Sequence, residues 1–138
     1  MIIETYDSIS GGIIQQGTEK ILQQSPFTVD VADIIQGRHG QSVVFRCMKG
    51  SETEITTLNI RLIDQGISDS IYSIFTSPSF IPNVSVGNPE YTFTQLTSSS
   101  FSIPITDSVS DYAWIDIRTD YDHSGPSKTV LSLEYDFS

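Results

Sequence analysis

Helix-forming residues and cations are what this chain has least of. Alanine occurs at two positions, Ala32 and Ala113. Lys and Arg together number 7 against 17 Asp and Glu, for a formal net charge of −10. There is one cysteine, Cys47, and one tryptophan, Trp114. Histidines number two, His39 and His123. Each scarcity excludes something. Phosphate recognition needs clustered Lys and Arg, so nucleic acid is not expected as a partner. An anionic membrane surface is excluded on the same ground. A single cysteine can build neither an intrachain disulfide nor a Cys-based zinc site. No apolar run approaches the roughly 18 residues of a membrane span. The opening Met1-Ile2-Ile3-Glu4-Thr5-Tyr6-Asp7 has no basic region and no apolar block before small residues, unlike a secretory signal. With a lone thiol as well, synthesis in a reducing cytoplasm is expected.

Catalytic equipment is equally sparse. Neither Gly-x-Ser-x-Gly nor a glycine-rich phosphate loop ending in Gly-Lys-Ser/Thr occurs. His39 and His123 each lie in a glycine-flanked turn, where imidazole is ordinarily solvated. Cys47 sits among strand-forming residues and reads as a small buried hydrophobe. The expectation is a non-enzyme without a cofactor.

What is abundant is Ile, Val, Ser and Thr, with Ser and Thr about a quarter of the chain. β-Branched side chains lose freedom in helices and pack well on a pleated surface. From Pro26 onward, apolar and polar residues alternate in short runs bounded by Gly, Pro, Asn and Asp. Strands are expected at Phe27–Val31, Gln41–Met48, Ile55–Ile63, Ser70–Phe75, Glu90–Leu96, Phe101–Ile105, Tyr112–Arg118 and Thr129–Phe137, with a short one at Asn83–Val86. Lys49-Gly50-Ser51-Glu52 looks like the turn of a hairpin joining the second and third of these. Pro78 and Pro82 assign 76–82 to a loop or edge. The pattern predicts an all-β fold, an antiparallel β-sandwich of immunoglobulin-like or jelly-roll type with about seven to nine strands. A barrel is the alternative.

Residues 1–25 read differently. Gly11, Gly12 and Gly17 interrupt them, and Ile13-Ile14-Gln15-Gln16-Gly17 is echoed by Ile21-Leu22-Gln23-Gln24-Ser25. Apolar pairs without a core of their own suggest an arm ordered on a neighbouring subunit. The expected organisation is therefore an N-terminal arm at 1–25 and a sandwich domain at 26–138. A short helix over Thr18–Gln24 is a further expectation.

Candidate contact residues follow. Ile13, Ile14, Ile21 and Leu22 are the apolar residues of the arm. Trp114 and Tyr121 are the aromatic candidates, since Trp and Tyr are enriched at protein contacts. Trp114, Tyr112, Tyr121 and Tyr91 would alternatively build a platform for stacking sugars. Asp120, Asp122, Ser124 and Gly125 match the opening of a calcium loop, but its twelfth position is Leu131 rather than Glu. A looser calcium site would join Asp120 and Asp122 to Asp107 or Asp111. The rival reading is a solvated acidic turn that ends a strand.

The run Ile34-Ile35-Gln36-Gly37-Arg38-His39-Gly40-Gln41-Ser42-Val43-Val44-Phe45-Arg46-Cys47 resembles the start of the N-terminal module of phage baseplate upper proteins, where a Gln-Gly-x-x-Gly turn leads into the first long strand. Lys49-Gly50 and the strand through Leu58-Asn59-Ile60-Arg61-Leu62 fit the same order, and Leu131 to Phe137 is similar to the closing strand. The resemblance implies an immunoglobulin-like virion module, made in the host cytoplasm and docked on capsid or tail subunits or on copies of itself. A short acidic module with an arm also looks like a capsid decoration protein. Two other classes stay open: a carbohydrate- or receptor-binding module, and an acidic inhibitor that mimics nucleic acid.

Overall fold

The computed structural model of the chain describes residues 1–17, 19–20, 27–35, 41–64, 71–84, 88–98, 100–118 and 128–138. These contain ten strands and no helix. In chain order the strands are β1 (Ile2–Tyr6), β2 (Ile13–Gln16), β3 (Phe27–Ile35), β4 (Gln41–Met48), β5 (Thr57–Asp64), β6 (Ile71–Ser77), β7 (Thr94–Gln95), β8 (Ser100–Pro104), β9 (Tyr112–Arg118) and β10 (Lys128–Phe137). They form a larger sheet of six strands, ordered β2-β1-β4-β9-β6-β7, and a smaller sheet of four, ordered β3-β10-β5-β8. Every strand pairing is antiparallel. The fold is the expected β-sandwich.

Alternation decides which side chains meet between the sheets. Successive strand residues point to opposite faces, so every second residue reaches the core. The larger sheet sends in Ile3, Val43, Phe45, Cys47, Ala113 and Ile115. The smaller sheet answers with Leu58, Ile60, Leu62, Ile103, Tyr135 and Phe137. On β4, β5 and β9 the inward residues fall at every second position.

Three local expectations change. Gln41–Met48 and the following strand do not form a hairpin: β4 lies in the larger sheet and β5 in the smaller. The turn at Lys49–Glu52 carries the chain from one sheet to the other. The run Glu90–Leu96 forms a strand only at Thr94–Gln95. At Asn83 the backbone turns with φ of 59° instead of running extended.

The larger correction concerns the arm. β1 lies between β2 and β4, pairing Ile3 with Cys47 and Thr5 with Phe45. Met1, Ile3 and Tyr6 are buried. Residues 1–17 are thus built into the larger sheet rather than standing apart from it. The physical reason is that β1 is covered on both faces, Ile3 toward the smaller sheet and Tyr6 toward a second cluster. A strand buried on both faces shows no polar alternation to betray it. The helix expected over Thr18–Gln24 falls largely outside the described residues.

That second cluster covers the outer face of the larger sheet. The register sets Tyr6, Val44, Trp114 and Phe75 side by side across β1, β4, β9 and β6. Phe80, Ile81, Val84, Tyr91, Phe93 and Tyr112 pack on this row. Trp114 lies 5.4 Å from the Phe75 ring and 5.7 Å from the Phe80 ring, centroid to centroid.

Candidate functional site

The sequence-based candidates separate clearly. Trp114 is 0% exposed. It is a core residue, so the expected contact or sugar platform at Trp114 is corrected: the segment carrying Phe80, Tyr91 and Phe93 roofs the face that strand periodicity alone left open. Ile21, Leu22, Tyr121, Asp120 and Asp122 lie outside the described residues, as do His39 and His123. Asp107 and Asp111 are exposed. Among the described residues no group of three or more His, Cys, Asp or Glu is placed to hold a metal ion.

Ile13 and Ile14 are different. They are 59% and 69% exposed. Ile9, which the sequence did not single out, is 66% exposed beside them in the β1–β2 connection. All three belong to one hairpin at the edge of the larger sheet. Beyond β1, β2 has no other strand neighbour among the described residues.

The hairpin is held by its own chemistry. The Asp7 Oδ1 accepts the backbone N–H groups of Ile9 at 2.9 Å and Ser10 at 2.8 Å. An Asp at a turn accepts such bonds because its short side chain reaches the following amides. These bonds from Ser10 and Ile9 hold the Asp7 carboxyl below its ordinary value of 3.8. Gly11 N–H donates to the Asp7 carbonyl at 3.0 Å, and Asp7 N–H to the Gly12 carbonyl at 2.9 Å. Gly11 has φ of +75°, and a Cβ there would meet the Phe80 ring at 3.0 Å. Only glycine satisfies both the conformation and the close approach. The roof also grips the turn directly, since Asn83 N–H donates to the Ser8 carbonyl at 3.1 Å. At the base, Gly17 N–H donates to the Ile3 carbonyl at 2.9 Å and Lys20 N–H to Met1 at 2.8 Å. Glu19 accepts from the Ser51 amide at 2.7 Å and hydroxyl at 2.8 Å, which lowers its pKa.

This hydrogen-bonded hairpin therefore presents apolar side chains on a strand that is open among the described residues. Native proteins usually blunt such edges with charges or proline. From Ser8 to Gly17 the chain has neither, and the one irregularity of the edge is the register shift of its pairing with β1 between Thr5 and Tyr6. Chemically the arrangement offers two things, a row of backbone donors and acceptors and an isoleucine surface.

Compared with known proteins, the chain matches no family model, no curated protein and no solved structure.

Proposed function

We propose that this chain is a non-enzymatic structural protein of a phage particle, docking on other virion subunits through the β1–β2 hairpin edge. The observation that carries the docking is the exposure of Ile9, Ile13 and Ile14 on an uncharged, proline-free edge strand. Burying such side chains on a partner is favourable at roughly 25 cal/mol per Å² of apolar surface. Because the turn is already ordered by Asp7, Gly11 and Asn83, little conformational entropy is lost on contact. In a symmetric shell or tail many copies act together, so a modest single contact suffices. The phage setting rests on the resemblance of Ile34–Cys47 to baseplate upper proteins, and the acidic surface supports a protein partner over nucleic acid.

The test is compositional. Particles from the source that encodes the chain are purified and probed with antibody against it. The wild-type chain is expected in the particles. A variant with Ile13→Lys and Ile14→Lys, exposed positions that leave the core intact, is expected to fold with unchanged circular dichroism and to be missing from them. Absence of the wild-type chain, or equal incorporation of the double variant, overturns the proposal.

A further inference from the structure

The smaller sheet turns a second surface outward, and this one is polar. Antiparallel register sets Asn59 opposite Ser102 and Asp136, and Arg61 opposite Ser100 and Glu134. Two parallel rows result, Ser102–Asn59–Asp136 and Ser100–Arg61–Glu134. Strand spacing of about 4.8 Å and a two-residue step of about 6.8 Å fix their grid. Together with the backbone between them they line an open basin of about 400 Å³.

The chemistry of the basin narrows its ligand. Arg61 Nε and Nη2 both donate to Glu134 carboxylate oxygens, at 2.8 to 3.0 Å. The guanidinium is thereby matched by its own carboxylate, and Asp136 adds a negative charge. An anion finds no net attraction in a chain of charge −10. A bare cation finds no cluster of three acid, His or Cys ligands among the described residues. An apolar ligand would strip water from a lining of Asn, Ser, Arg and carboxylates. Hydroxyl groups remain, because each both donates and accepts. Ser102 Oγ donates to Asn59 Oδ1 at 2.8 Å, which orients the amide and leaves its N–H groups as donors. Asp136 supplies the acceptor, and the Ser hydroxyls supply either. We propose that this face of the smaller sheet binds a neutral oligosaccharide. The site is on the other sheet from β2 and stands independently of docking through that edge.

The experiment titrates the full, 15N-labelled chain with cellohexaose, maltohexaose and N-acetylchitohexaose, each to about 10 mM, a concentration that reveals affinities as weak as about −3 kcal/mol. A sulfated hexasaccharide serves as the anionic comparison. The expected result is that at least one neutral sugar shifts amide signals confined to 59–61, 100–102 and 134–136. Asn59→Ala and Asp136→Ala, both on the outward face and outside the core clusters, should each weaken that binding tenfold or more. Ile13→Lys should leave it unchanged. No shift with any of the three neutral sugars, shifts located elsewhere, tighter binding of the sulfated sugar, or binding indifferent to both Ala variants would each overturn the assignment.

Discussion

The two sheets share one core and have opposite outer faces. The larger sheet carries a second hydrophobic layer outside, in which Trp114 is sealed by Phe75, Phe80 and Tyr112. The smaller sheet leaves one stretch of its outer face open, with Arg61, Ser100, Ser102 and Asp136 exposed. The difference teaches that alternation in a strand identifies two faces without saying which one meets water. In β9 the outward row is Tyr112, Trp114 and Asp116, and it is buried or half-buried; in β5 it is Asn59 and Arg61, and Arg61 is exposed. What separates them is that Phe80, Ile81, Val84, Tyr91 and Phe93, distant in sequence from β9, pack over the outward row of the larger sheet.

The sharpest way to break this comparison is to remove the strand that both layers of the larger sheet use. Deletion of residues 1–17 takes out β1 and β2, with Ile3 from one cluster and Tyr6 from the other. Cooperative unfolding should disappear, as followed by circular dichroism in urea. A truncated chain that still unfolds in a sharp transition would make the N-terminal segment an appendage after all. Next in size is Trp114→Ala. Loss of a fully buried aromatic ring costs about 3–5 kcal/mol, read as a lower urea midpoint at constant slope. A cost below about 1 kcal/mol would show that the outer layer contributes no core.

The same comparison measures how much could be read from the sequence. The inward rows of β4, β5, β9 and β10 were legible because one face is apolar and the register has period two. Glycine at 49–52 announced a turn correctly and misled about its destination, since a tight turn and a step between sheets use the same residues. β1 was illegible because Ile2-Ile3-Glu4-Thr5-Tyr6 is covered on both sides. Its one charged residue, Glu4, is buried and accepts a hydrogen bond from the Tyr6 hydroxyl. Ile13 and Ile14 were singled out as apolar residues lacking a core, and their exposure follows from that same lack. Ile9 was missed, although Asp7 ahead of Ser8-Ile9-Ser10-Gly11-Gly12 is the chemistry of a hairpin turn. The polar basin left no signal at all: Asn59, Ser102 and Asp136 are 34 or more residues apart and meet only through pairing.

A pH series probes the two layers separately. In the inner core, burial pushes the Cys47 thiol from 9.0 up to about 12. In the outer layer burial, aided by the bond to Glu4, raises Tyr6, and burial raises Tyr135 in the inner core. Raised values mean the fold favours the protonated forms. Their contribution is full below the unfolded values and is lost as pH climbs through and beyond 9. Thermal stability should be level near neutrality and fall above about pH 9, each group adding at most about 1.4 kcal/mol per pH unit. Cys47→Ala should cost about 1 kcal/mol at pH 7 and delay the alkaline fall to near pH 10, where the tyrosines take over. An unchanged onset would mean the thiol meets water.

The smallest effect is expected on the smaller sheet's open stretch. Arg61 is 53% exposed and Glu134 29%, yet their geometry is bidentate. Exposure argues for a contribution near zero, and a bidentate pair across a strand register argues for more. Water and salt screen both charges, so exposure should prevail. A double-mutant cycle of Arg61→Ala and Glu134→Ala should return a coupling of about 0.2–1 kcal/mol that shrinks as salt is raised. A coupling well above that, insensitive to salt, would mean the pair is shielded from solvent. The smaller sheet's outer face would then be covered as the larger sheet's is, and the contrast between the two would collapse.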